Sequence, residues 1–463
     1  MRELDRGLDT AALGAFRDIF AGQIVLPQDE GYDAARVVWN GVADRYPAVV
    51  VRPTSEDDVV TALRFAREQD LVVAVRGGGH SVAGLSTCDD GMVIDLRSMQ
   101  RVEIDPKRRV ARVQGGALLS QLDEAAQAFG LACPVGVVGH TGVGGLTLGG
   151  GMGRLQRKHG LTVDNILVLE MVTADGRLVR VDDEENADLF WGMRGAGPNF
   201  GVVTSFELRL HEVGPGIVHG MAMHPLERAH ETVARWRNLV ATAPDEAFLG
   251  LNFTVALPEE EFPPEIAGRP IVAAGVAHCG PLEEGERFVA KLRGDGAVVD
   301  TFGPKRYLDV QSMGDEAMAW GHRFYMKGGF VPRFPDELVD ACSERIADAP
   351  GQCEISFWAF GGAIARVPED AMAFTGRGAA AWCGVESLWD DPGRDHAFIG
   401  WSRATMNALK PFTTAGNYVN DIVETGTDVV RGIYGDQKYE RLVGLKRKWD
   451  PDNVFRLNQN VRP

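Results

Sequence analysis

The chain of 463 residues is 45% hydrophobic and 24% charged, the make-up of a globular protein with room for two or three domains, each with its own core. Its 65 acidic residues outnumber 48 Lys and Arg, and the net charge of −17 repels nucleic acid and anionic membrane surfaces at long range. The segment Met1–Arg6 lacks an apolar leader and no run is long enough to span a bilayer, so a cytoplasmic protein is expected.

The first half alternates strand and helix signals. Ala48–Val51 is a short apolar strand closed by Pro53, and Ser55 followed by Asp58 marks the start of a helix running through Glu68. Leu71–Val75 is the next strand and leads directly into Gly77-Gly78-Gly79; Met92–Leu96 and Val110–Val113 follow as strands, and Ala117–Phe129 has helical spacing. Ile166–Thr173 and Arg177–Val181 flank Asp175-Gly176, a dipeptide suited to a type I′ turn, so an antiparallel hairpin is expected. Gly201–Leu208 is a further strand, and Val213-Gly214-Pro215-Gly216 marks a boundary. Beyond it, strands at Ile271–Val276 and Glu354–Phe360 interleave with helical runs such as Glu231–Leu239. The tail carries an amphipathic helix over Tyr439–Trp449 and then a polar segment, Phe455–Asn460, whose specificity suggests docking. The fold class is α+β.

Cys88, Cys133, Cys279, Cys342, Cys353 and Cys383 form no CxxC pair and no framework spacing; buried thiols are expected, with neither zinc nor disulfides. Glycine is the informative excess, with 56 residues that include Gly77–Gly79 and nine between Gly136 and Gly153. So dense a run weakens an ordinary helix or strand. It suits a backbone that must approach a bound group closely. Three glycines after a strand permit turns that aim successive N–H groups at a phosphate, and His80 beside them suits a ligand, an acid/base or a covalent attachment point. Neither GxGxxG nor the P-loop signature occurs, which disfavours a nicotinamide dehydrogenase or a P-loop NTPase.

The motifs RGGGHS at Arg76–Ser81 and GVGGLTLGGGMG at Gly142–Gly153 resemble the FAD domain of the vanillyl-alcohol oxidase superfamily, in its berberine-bridge-enzyme-like branch. RKHGLTVDN at Arg157–Asn165, LFWGMRGAGPNFGVVT at Leu189–Thr204, NYVN at Asn417–Asn420 and FRLNQN at Phe455–Asn460 extend the resemblance over nearly the whole chain, closest to bacterial members acting on secondary metabolites, such as the flavoenzyme of enterocin biosynthesis. The resemblance implies a two-part FAD-binding domain, residues 1–214 completed by 411–463, around a central α+β substrate domain with an antiparallel sheet, residues 215–410. It implies FAD contacts from Arg76, Gly77, Gly78, Gly79, His80 and Ser81, and from His140, Thr141, Gly142, Gly144, Gly145, Gly151 and Gly153. Further contacts fall on His159, Asp164, Asn165, Gly201, Val203, Tyr418, Asn420 and Asn458. His80 is the implied covalent attachment point; Val138 stands where many relatives carry a second, cysteinyl link, so a single link is expected, with Cys133 a weak substitute.

Four residues are candidates for the chemistry. Glu354, Ser356 and Trp358 alternate along a strand and so share a face, which makes Glu354 a candidate base if that face lines a cavity and an ordinary solvated residue if it does not. Tyr418 faces the substrate in the resemblance, against a packed aromatic as the plainer reading. Tyr325 and Lys327 repeat the two-residue spacing. Arg154 departs from the family pattern and would pair with a carboxylate or phenolate if it enters the cavity. Thr141 matches the position that borders oxygen access. The expected function is an FAD-dependent oxidase that moves a hydride from a small alcohol, phenol or secondary metabolite to flavin, with O2 reoxidation to H2O2. Small molecules and O2 are its expected partners, with a homodimer allowed, and no nucleic acid, membrane or metal. A carbohydrate C1 oxidase and a non-enzymatic flavin-binding protein are the alternatives.

Overall fold

The computed structural model describes residues 8–256, 262–264, 266–293 and 296–463. Among them three main sheets form. The first has the order Gln23–Val25, Val49–Arg52, Met92–Asp95, Val73–Arg76; of its three pairings two are parallel, and the helix Glu56–Glu68, capped by Ser55, covers it. The second is antiparallel, in the order Val102–Asp105, Val110–Gln114, Gly201–Arg209, Ile166–Thr173, Leu178–Val181. The third and largest is antiparallel throughout and runs from Gly216–Pro225 through Pro270–His278, Ala247–Val255, Cys353–Ala359 and Ala381–Trp389 to Arg323–Val331, with two short strands at its first edge.

Strand periodicity gives the large sheet two different faces. Leu249, Leu251, Ile355, Phe357, Cys383 and Val385 pack with Trp236, Cys342, Ile346, Phe398 and Trp401 from the helices Ala229–Ala241, Asp336–Ala347 and Asp395–Leu409. The intervening residues Phe324, Met326, Trp358 and Trp382 turn the other way and join the core of the second sheet. That face roofs the site.

Three local expectations are corrected. The hairpin turn is not type I′: of its central residues Gly176 alone has positive φ, +81°, and Gly176 N–H donates to Thr173 O while Thr173 N–H reaches Arg177 O. Ala174, Asp175 and Gly176 thus form a three-residue loop, in which only the last position requires glycine. The second glycine run does not exclude helix, because Val143–Gly149 forms one. Its glycines allow close packing: a Cβ on Gly144 would sit 2.9 Å from Gly115 O. The tail helix over Tyr439–Trp449 is present, but it follows a kink at Gly435, φ +72°, and a further helical segment starting at Thr427 precedes that kink.

The tail is anchored by a buried charge. Lys446 and Asp450 are both fully buried; the ammonium donates to Asp450 Oδ2 at 2.7 Å, Asn199 O at 2.7 Å and Phe455 O at 2.8 Å. Asp450 in turn accepts from the N–H groups of Val454 and Phe455. Removing one partner leaves the other charge buried and unpaired, so Lys446→Met is expected to lower the unfolding free energy by ~3–5 kcal/mol. Urea unfolding checks this; a loss below ~1 kcal/mol, the worth of an exposed pair, would contradict it.

Candidate active site

The two glycine clusters meet backbone to backbone. A Cβ on Gly78 would lie 2.2 Å from Gly142 N, and one on Gly142 would lie 2.2 Å from Gly78 N, so neither position admits a side chain. Gly78, Gly79 and His80 carry amide N–H groups with no acceptor among the described residues. They border a cavity of about 390 Å3, which adjoins a smaller one of about 100 Å3; Gly77, Gly145, Pro198 and Asn458 belong to both walls.

His80 is held by two contacts, and its partner His140 by a third. Its ring stacks on Trp39, with centroids 4.4 Å apart and planes 17° apart, and its Nε2 lies 2.6 Å from His140 Nδ1. His140 Nε2 lies 3.2 Å from Asp315 O. A carbonyl only accepts, so His140 carries its proton on Nε2 and presents a lone pair at Nδ1. His80 therefore donates from Nε2, and its own Nδ1 keeps a lone pair. Burial pushes His80 down to about 3, so the imidazole is neutral.

Across the cavity, Trp358, Trp382, Phe324, Met326 and Tyr418 form an apolar and aromatic wall. Into it project two carboxylates, Glu386 and Asp421. Burial, with Glu354 and Asp421 adding repulsion, raises Glu386 well above the usual carboxylate range. Asp421 is 5% exposed, accepts from Trp382 Nε1 at 2.6 Å, and is pushed up to about 8 by burial. Tyr418 hydroxyl accepts from Gly151 N–H at 3.0 Å and Asn420 Nδ2 at 2.8 Å, which leaves its own proton free to donate.

A family model described as an FAD binding domain matches residues 47–182, and one described as berberine and berberine-like matches residues 415–462. (R)-6-hydroxynicotine oxidase from Paenarthrobacter nicotinovorans is 32% identical over 464 residues, covering 96% of this chain and 97% of that protein. The chain belongs to the berberine-bridge-enzyme-like FAD-linked oxidoreductases. The crystal structure of 6-hydroxy-D-nicotine oxidase from Arthrobacter nicotinovorans superposes with a TM-score of 0.86 at 29% identity, covering 96% of this chain and 98% of that one. Glucooligosaccharide oxidase from Acremonium strictum, which carries a 6-S-cysteinyl, 8α-N1-histidyl FAD, shares the fold at TM-score 0.85 and 23% identity, over 98% of both chains.

The cavity of this FAD-linked oxidoreductase fits a dinucleotide. The side chains that would hold it include Asn458 and Gln459, which line the cavity with carbonyl oxygens that lack a hydrogen-bond partner, and the free N–H groups of the first glycine loop suit a pyrophosphate.

Of the residues expected at the site, Gly77, Gly78, Gly79, His80, Ser81, Thr141, Gly142, Gly145, Tyr418, Asn420 and Asn458 line the larger cavity, and Gly144, Gly201 and Val203 line the smaller. The others stand behind it. Arg76 is fully buried and donates to the carbonyls of Ala35, Arg36 and Ser86, shaping the loop from below. Gly151 acts through its bond to Tyr418, and Gly153 packs against Val135 O. His159 stacks on His211 at 4.0 Å, Asp164 pairs with buried Arg377, and Asn165 bonds His211 and two carbonyls.

Arg154, Glu354 and Tyr418 do not converge. Arg154 Nη1 donates to Gln311 Oε1 at 3.1 Å, beside Asp123 and Tyr307, and is absent from the cavity wall. Glu354 is spent on Asn252 Nδ2 at 2.9 Å and on the Ser356 hydroxyl, and the cavity carboxylate is its cross-strand partner Glu386. Cys133 is buried in the core away from the cavity wall, so it is no substitute for the thiol that Val138 lacks; Val138 itself lines the cavity. The missed residues had one local signal. In Ala381–Glu386 the apolar Ala381, Cys383 and Val385 alternate with Trp382, Gly384 and Glu386, the same two-faced pattern that was read at Glu354.

Proposed function

We propose that the chain is an oxidase that removes a hydride from a small aromatic or alicyclic alcohol, phenol or amine, with Glu386 as proton acceptor, a single covalent link to FAD at His80, and O2 as electron acceptor. FAD supplies the two-electron sink that takes the hydride. The observation that carries the reading is Glu386, a carboxylate with a strongly raised pKa, projecting from an aromatic wall into the cavity that His80 borders.

Each residue role follows from its surroundings. Trp358 and Trp382, with ring centroids 5.3 Å apart, together with Phe324 and Met326 exclude water and stack a flat substrate. Ionised Glu386 takes the O–H or N–H proton, and its raised pKa makes it a stronger base than an exposed glutamate. Tyr418 donates its free hydroxyl proton into the site. Thr141, on the cavity wall next to Gly142, leaves room for oxygen that a larger side chain would fill. The neutral His80 with a lone pair at Nδ1 has the protonation that a covalent bond to carbon requires.

The absence of a thiol at Val138 separates this chain from the doubly linked glucooligosaccharide oxidase and favours a non-sugar substrate.

Two outcomes are expected. Acid-precipitated wild-type protein stays yellow, with the flavin on Nδ1 of His80 in the isolated peptide, whereas His80→Ala releases all of its flavin; yellow precipitate from His80→Ala would refute the link. Glu386→Gln lowers the anaerobic rate of flavin reduction by ~10²–10⁴, the usual worth of a positioned base. Because the base must be ionised, the wild-type rate falls as pH drops through the pKa of Glu386, and this acidic limb vanishes in Glu386→Gln. A retained limb would assign the base elsewhere.

A further inference from the structure

Asp421 borders more than the active cavity. A second cavity, also about 390 Å3, lies on its other side, and Asp421 and Ile422 belong to both walls. Within that shared wall Asp421 Oδ2 accepts from Trp382 Nε1, which comes from the active-cavity side. Gly328, which lines the second cavity, stands against this same hydrogen bond: a Cβ there would lie 2.8 Å from Asp421 Oδ2 and 3.1 Å from Trp382 Nε1. A glycine there leaves the carboxylate reachable from the second cavity.

The far part of the second cavity is charged and partly exposed. Lys327 pairs with Glu424, Tyr325 hydroxyl donates to Glu424 Oε1 at 3.1 Å, and Arg403 Nε donates to the Tyr325 oxygen at 3.0 Å. The side chains of Lys327 and Glu424 are 26% and 35% exposed. Ionisable groups therefore stand on both sides of Asp421, with Glu354 and Glu386 on the sheet and Lys327 and Glu424 lining the second cavity toward solvent.

We propose that Asp421 carries the reaction's proton between the active cavity and solvent by way of the second cavity. The proposal rests on Glu386 as the first acceptor. When the substrate C–H bond gives up its hydrogen with both electrons as hydride to the flavin, the O–H or N–H bond breaks, its electron pair completes the C=O or C=N bond, and the proton goes to Glu386. Asp421 then gives the proton it holds to water in the second cavity and takes the one on Glu386. One proton has left, and both carboxyls are as they began.

The raised pKa of Asp421, about 8, suits this exchange near neutral pH. The groups that face it are Glu386 and Tyr418 on the active-cavity side, Cys383 on the helix-packed face of the sheet, and Lys327 and Glu424 on the second-cavity side.

The path is reversible, so it can be tested without a substrate. Flash photoreduction of the holoenzyme with 5-deazariboflavin and EDTA, followed with phenol red, reads the rate at which the reduced site draws protons from solvent. Asp421→Asn, whose amide oxygen still accepts from Trp382, is expected to slow proton uptake at least tenfold, and added imidazole entering the second cavity restores it. Gly328→Ala keeps the carboxylate but presses a methyl against Asp421 Oδ2 and Trp382 Nε1; uptake slows and imidazole does not restore it. A wild-type rate in either variant, or a slow Asp421→Asn that imidazole fails to rescue, overturns the proposal. Glu386→Gln separates the two readings: normal uptake there beside slow uptake in Asp421→Asn removes Glu386 from the path and leaves Asp421 in it.

Discussion

The contact between Gly78 and Gly142 positions the rest of the site. Two loops from distant parts of the chain approach until either Cβ would collide with backbone nitrogen 2.2 Å away, and that closeness sets His80 against His140 and leaves the amides of the first loop without protein partners. Free N–H groups beside a buried surface are costly unless something accepts from them. The loop is therefore suited to hold an acceptor such as a pyrophosphate. Arg76, tied to three carbonyls beneath it, and the segment around Asp315, tied to Gly139 and His140, hold it from both sides.

The opposing wall follows a different rule. In the large sheet every second residue packs under helices, and the intervening ones face the flavin domain, so a single sheet serves as both core and cavity roof. Placing Glu386 and Asp421 in that aromatic roof opposes the hydrophobic effect, and the energy appears as raised pKa values instead of as unpaired charge. A carboxylate so raised is a competent base; on a solvated face it would be a spectator. The buried Lys446–Asp450 pair does the opposite work, fully hydrogen-bonded and structural, clamping the tail that delivers Tyr418, Asn458 and Gln459 to the cavity.

Local features were legible in the sequence. The capped helix after Ser55, the strands that lead into both glycine clusters, and the loops themselves depend on residues within a few positions of one another. The acid at the wall was not legible. Glu354 and Glu386 occupy the same face of the same sheet, and only strand order decides which of them reaches the cavity. Arg154 failed for a related reason: Gly153 packs tightly on Val135, and the chain leaves that contact with Arg154 directed to Gln311, a residue more than 150 positions away. The hairpin turn misled because Asp-Gly suits both a two-residue and a three-residue loop, and the pairing of Thr173 with Arg177 decides between them.

The account stands on the claim that a flat, largely apolar substrate is oxidised between Glu386 and the flavin. Anaerobic titration of the yellow holoenzyme against aromatic and alicyclic alcohols, phenols and amines, and in parallel against mono- and oligosaccharides, tests it directly, since bleaching reports hydride transfer whatever the product. Bleaching by members of the first group and none by the second is the predicted result; bleaching by saccharides alone, or by no compound of the first group, would contradict it.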